Sequence, residues 1–105
     1  MGNRVSMQFY QKDEDWENYS AILFSHWDGM NLVEDAWSYV KKLAKKKAGK
    51  GSMPLDRLEP GTLMVDFISK RFKGTEITGN YSLTCDLDSG DNSDNGHHVI
   101  DVTDL

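Results

Sequence analysis

The chain has little of what locks a small protein together from outside its core. It has one cysteine, Cys85, and two prolines, Pro54 and Pro60, among 105 residues. One cysteine excludes an internal disulfide framework and a cysteine-rich zinc site. The longest uncharged apolar run is residues 21–24, far short of the roughly 20 residues a membrane-spanning helix needs. No charged-then-apolar leader opens the chain, so no secretory signal is expected and a cytoplasmic, soluble protein is. Lysine and arginine are missing altogether beyond residue 73.

What is present fits a folded chain. Four Phe, four Tyr and three Trp need somewhere to be buried and argue against disorder. The length suits one domain, residues 1–105, hiding roughly 65% of the unfolded surface. Charge is segregated along it. Residues 1–40 carry a net −5, residues 41–73 a net +7 and residues 74–105 a net −7, summing to the overall −5. An acidic total does not draw a protein to nucleic acid, but a local basic stripe can.

Apolar periodicity sets the expected elements. Residues 3–10 alternate Val5, Met7 and Phe9 against Arg4, Ser6 and Gln8, a half-buried strand. Residues 19–27 read as a second, more apolar strand, stopped by Asp28-Gly29. Asn31 then reads as a helix N-cap, with Glu34 three residues on approximating a capping box. Glu34 and Asp35 would occupy the first turn, and lysines the last. Val33, Ala36, Trp37, Val40, Leu43 and Ala44 give this helix its apolar face, and Gly49 its stop. A second helix is expected over residues 60–72, with Leu63, Met64, Phe67, Ile68 and Phe72 as its stripe. Residues 81–87 and 97–103 read as two more strands, and Asn95-Gly96 as the hairpin turn between them. The order ββααββ predicts a two-layer α+β domain: a roughly four-stranded antiparallel sheet with two helices on one face.

Four separated segments recur together elsewhere: Met1-Gly2-Asn3-Arg4, His26-Trp27-Asp28-Gly29, Gly79-Asn80-Tyr81-Ser82-Leu83 and Asp94-Asn95-Gly96. The set resembles a family of small uncharacterised proteins of phages, plasmids and prophage-like islands. Members carry Leu-His-Trp-Asn/Asp-Gly, and later Gly-Asn-Leu-Ser-Leu. Ser25 and Tyr81 stand here where the family tends to carry Leu. The resemblance implies a mobile-element accessory protein and transfers no catalytic residue.

Candidate sites are few. His26 and Asp28 form a titratable pair at a strand-to-helix corner, where a carboxylate can orient an imidazole as a general base. With Trp27 and Gly29 they form a candidate binding corner, since the helix N-terminus beyond favours an anion. Lys41, Lys42, Lys45 and Lys46 form a candidate nucleic-acid face. They read first as the solvated side of a helix. Residues 86–96 approach a calcium loop, but position twelve falls on Val102 or His97 where Glu is required. His97 and His98 face opposite sides of a strand and cannot share one ion. Cys85 alternates with Leu83 and Leu87 and is expected to be buried. No metal or cofactor is expected. The leading expectation is a non-enzymatic interaction protein with a protein partner, self-association included, and no membrane. Nucleic-acid binding through the lysines ranks second, and an enzyme centred on His26 and Asp28 third.

Overall fold

The N-terminal alternation forms β1, Val5–Lys12, which buries Val5, Met7 and Phe9 on one face. A computed structural model describes residues 2–48, 59–72, 81–86 and 92–103. The chain turns where the Asp13 N–H donates to the Trp16 carbonyl (2.9 Å) and returns as β2, Glu17–Tyr19, and β3, Ile22–Ser25. Both run antiparallel to β1. Tyr10 pairs with Tyr19, and Met7 with Leu23. Gln8 and Phe9 therefore face Ser20, Ala21 and Ile22, one residue too many, and the strand bulges. The single strand expected over residues 19–27 is split there and ends at Ser25. Ser20 makes the bulge hold: its hydroxyl accepts the Phe9 N–H (2.9 Å), and its carbonyl accepts Gln8 Nε2 (3.1 Å).

Gly29, at φ +56°, swings the chain into α1, Met30–Ala48. The helix starts earlier than expected. The Asp28 carbonyl already accepts the Asn31 N–H (3.3 Å), and the Gly29 carbonyl that of Leu32 (3.2 Å). Asn31 therefore lies within the first turn rather than capping it, and no acid lies in that turn. Leu32, Val33, Ala36, Tyr39 and Leu43 are buried, while Trp37 and Ala44 are exposed. At about 100° per residue, a face centred on Ala36 and Leu43 takes in Tyr39 and turns Trp37 outward.

Helix α2, Pro60–Arg71, opens on a proline whose missing N–H costs nothing in the first turn. It buries Leu63, Met64 and Phe67 as the stripe required, and Phe72 closes it by donating to the Ile68 carbonyl (3.0 Å). Strand β4, Tyr81–Thr84, pairs antiparallel with β3. Strand β5, His97–Asp101, pairs in parallel with the free edge of β1. Across the sheet the order is β4, β3 with β2, β1, β5, in an α+β fold of chain order βββααββ. The last two strands thus lie on opposite sides of β1, and Asn95-Gly96 is not their hairpin. The turn docks instead on the start of β1, as described below. Both helices contribute to one cluster with Val5, Met7, Phe9, Leu23 and Ile100, so they cover one face of the sheet. No helix among the described residues is long and apolar enough to cross a membrane.

Candidate functional site

Three chain segments meet at Asn3. Its N–H donates to the His26 carbonyl (2.8 Å), and its carbonyl accepts the Gly29 N–H (2.8 Å). Asn95 Nδ2 donates to Asn3 Oδ1 (2.7 Å) and to the Arg4 carbonyl (2.9 Å). The Arg4 N–H donates to Asp94 Oδ2 (2.9 Å), and the Asn95 N–H to the Arg4 carbonyl (3.0 Å). Gly29 has to be glycine on two counts. Its φ is positive, and a Cβ there would stand 2.6 Å from Asn3 Cγ. Residues 3–4, 26–29 and 94–95 therefore meet at one end of the sheet and hold it together.

Asp28 belongs to a second knot. The Tyr81 hydroxyl donates to its carboxylate, and Arg71 Nη1 lies 3.1 Å from the same oxygen. Arg71 Nε reaches Asp35 at 2.9 Å. Burial works against the Arg71 charge. Tyr81, Asp28 and Asp35 outweigh it and lift its pKa above the ordinary guanidinium value. Burial and the bond to Asp28 raise the Tyr81 hydroxyl, which stays a donor. His26 packs edge-on against Trp27, ring centroids 4.6 Å apart. The structure thus commits Asp28 to Tyr81 and Arg71 and sets His26 against Trp27. It does not bring His26 and Asp28 together as a base and its orienter.

Trp27 stands 53% exposed beside this corner, Trp16 46% and Trp37 40%. Trp37 sits one turn before Lys41 on the outer side of α1. Lys41, Lys42 and Lys45 are exposed and have no carboxylate within ion-pair distance among the described residues. The side chain of Lys46 lies outside the described residues. The cations of α2 are engaged instead: Lys70 Nζ is 3.1 Å from Asp66, and Arg71 is held as above. The two helices share a groove of about 350 Å³. Tyr39 donates across it to Asp66 Oδ2 (2.6 Å). Burial, then that bond, pushes the Tyr39 hydroxyl well above the usual phenol range.

The uncovered face of the sheet carries a polar chain that sequence reasoning missed. Asn92 Nδ2 donates to Ser6 Oγ (2.8 Å), and Ser6 Oγ lies 2.7 Å from His97 Nδ1. His97 Nε2 lies 2.8 Å from Gln8 Oε1, and Gln8 Nε2 donates to the Ser20 carbonyl. With Gln8 Oε1 only able to accept, His97 must carry its proton on Nε2, and Ser6 must donate to Nδ1. Burial, then the neighbouring His98, lowers the His97 pKa. The alternation of Ser6 and Gln8 was the available signal, since both sit on the face opposite Val5, Met7 and Phe9. His98 bonds the Asn95 carbonyl (2.8 Å), apart from His97. Cys85, expected in the core, is exposed, because β4 is an edge strand and contributes only Tyr81 to the packing. Residues 87–91 of the candidate calcium loop lie outside the described residues. Among those described, no three metal-binding side chains lie together.

No family model, curated protein or solved structure matches the chain.

Proposed function

We propose that the protein is a non-enzymatic interaction module that binds a protein partner, in the manner of a cytoplasmic mobile-element accessory protein. One observation carries the reading: all three tryptophans stand 40–53% exposed. Tryptophan is the largest apolar side chain to leave in water and the one most enriched among residues that dominate binding energy. The commitment of Asp28 to Arg71 and Tyr81 supports the same reading, since the carboxylate expected to orient His26 is engaged elsewhere. The test is capture from host lysate, with and without nuclease, by the wild type and by Trp27→Ala and Trp37→Ala. A protein retained after nuclease and lost from either variant is the expected result. Equal capture by all three forms, or none by the wild type, overturns it.

Nucleic-acid binding is the second reading, favoured by exposed Lys41, Lys42 and Lys45, which have no ion-pair partner among the described residues, beside an exposed Trp37. A helix meeting three or four phosphates gives a log–log salt slope of roughly −3, on the order of 50-fold between 50 and 200 mM. Micromolar binding with that slope, lost on Lys-to-Glu reversal, puts this reading first.

A further inference from the structure

Helix α1 has two apolar faces, and the rest of the described fold covers one of them. Leu32, Ala36, Tyr39 and Leu43 point into the core. Met30, Trp37 and Ala44 stand exposed, the first two at 40%. They recur every seven residues, a step that drifts by only about 20° around the helix, and so form one ridge along it. Val40, half-buried, fills the side of the ridge nearest the core. Asp35 and Tyr39, which bond to Arg71 and Asp66 of α2, each lie about 200° round from Trp37. The ridge is therefore on the flank turned away from α2. Apolar residues seven apart, with another three positions on, are the pattern by which one helix seats against another at a shallow angle.

Charge runs along this ridge with a polarity. Glu34 flanks its first half, and Lys41, with Lys45 one turn on, flanks its second. All three are exposed, and none has an ion-pair partner among the described residues. Trp37 lies midway, three residues after Glu34 and four before Lys41, with Met30 and Ala44 each seven away. We propose that α1 pairs antiparallel with α1 of a second copy of this chain, about a two-fold axis at Trp37. The two Trp37 rings then meet on the axis, and Met30 of each copy reaches Ala44 of the other. Glu34 of each copy faces Lys41 of the other. Within one copy these two stand about 10 Å apart along the helix and cannot pair. A parallel arrangement sets Glu34 against Glu34 and Lys41 against Lys41, so charge selects the antiparallel one. A two-fold pairing uses the same patch on both copies and closes at two. One helix face buries less than the roughly 1,200–2,000 Å² of a stable interface, so the dimer is weak, dissociating on the order of 10–100 μM. The pairing needs no host protein and so goes beyond the interaction reading above.

The test is sedimentation equilibrium of the purified full chain at concentrations bracketing that range, from about 1 to about 500 μM. Trp37→Ser, Glu34→Lys and Lys41→Glu change exposed side chains, and circular dichroism verifies the fold of each variant. The wild type should dimerise, and Trp37→Ser should stay monomeric throughout. Glu34→Lys and Lys41→Glu should each weaken the dimer roughly tenfold, since each turns two attracting pairs into two repelling ones. Both reversals in one chain should restore wild-type affinity, and an equimolar mixture of the two single variants should form the mixed dimer. Trp27 precedes the helix, so Trp27→Ala should dimerise like the wild type. A wild type that stays monomeric at every concentration overturns the proposal. So does a dimer that both single reversals leave unchanged, which is the parallel pairing or another face, and so does one that Trp27→Ala abolishes. If Trp37→Ser folds poorly, the charge reversals and their mutual rescue decide alone. A monomeric wild type whose capture of a host protein still depends on Trp27 removes the dimer and leaves the interaction reading standing. A dimer that captures no host protein does the reverse.

Discussion

The two faces of the sheet are built on different principles from the same strands. On the covered face Val5, Met7, Phe9, Leu23 and Ile100 meet two helices, and apolar area and shape do the work. On the other face Ser6 and Gln8 are nearly as buried, at 3% and 8% exposure, with no helix above them among the described residues. They are covered by one another's partners, Asn92, His97 and Ser20, in a chain of donors and acceptors with each donor assigned. The first face selects apolar residues of suitable size and shape. The second tolerates only residues that keep the direction of every hydrogen bond. A buried strand with an open side can thus be sealed by polar pairing in place of a second layer.

The largest expected effect tests the covered face. Phe9 is fully buried and touches both Tyr39 and Phe67. Phe9→Ala should cost about 3–5 kcal/mol, from lost transfer energy and the cavity left behind. Urea unfolding measures it, and a loss below about 1 kcal/mol would mean the helices do not close over β1.

Ser6→Ala is the matching change on the other face. It removes an acceptor from Asn92 and a donor from His97 while taking away a single oxygen. The expected loss is about 1–3 kcal/mol, the desolvation cost of leaving buried polar groups unmatched. No loss at all would show that the polar chain is not continuous.

A third change separates the helix phase seen here from the one the sequence suggested. Trp37→Ser should cost about 1 kcal/mol, because the ring is only partly covered. A loss equal to that of Phe9→Ala would return Trp37 to the core.

Much of the covered face was legible in the sequence, and little of the open one. Period-two alternation in β1 and the 60–72 stripe depend only on near neighbours, so they could be read directly. The phase of α1 could not, because Trp37 and Tyr39 lie about 200° apart around the helix, and contacts with Phe9 of the sheet and Phe67 of α2 decide which of them turns inward. The β1–β5 pairing was hidden for a different reason. Asn95-Gly96 has hairpin chemistry, but Asp94 and Asn95 bond to Arg4, some ninety residues away. The candidate site was legible by residue type and not by partner. His26 and Asp28 lie two apart in sequence, yet Asp28 is claimed by Tyr81 and Arg71.

The finest test of the two-face contrast is pH, since burial raises the Tyr39 hydroxyl of the covered face well above the phenol range, while the other face is organised around His97. The polar chain requires His97 neutral, with Nδ1 accepting from Ser6. A proton on Nδ1 would leave the Ser6 hydroxyl hydrogen without its acceptor in a buried place. Burial and His98 lower the folded-state pKa below the ordinary 6.5, so the unfolded chain binds the proton more readily. Stability from this group is therefore complete above the unfolded pKa and is lost as pH falls through the folded one. His98, bonded to the Asn95 carbonyl, lies on the same strand, and Asp101 follows four residues beyond His97 on the strand's open face with its own pKa lowered by Thr103. A comparison of wild type with His97→Gln removes their shared contribution. The stability advantage of the wild type should be constant between about pH 7 and 8 and should shrink as pH falls toward 5, because only the wild type loses the neutral imidazole. Denaturant midpoints for both proteins across that range give the answer. An advantage that grows on acidification would mean that His97 is held charged, and that the hydrogen-bond direction assigned along Asn92, Ser6, His97 and Gln8 runs the other way.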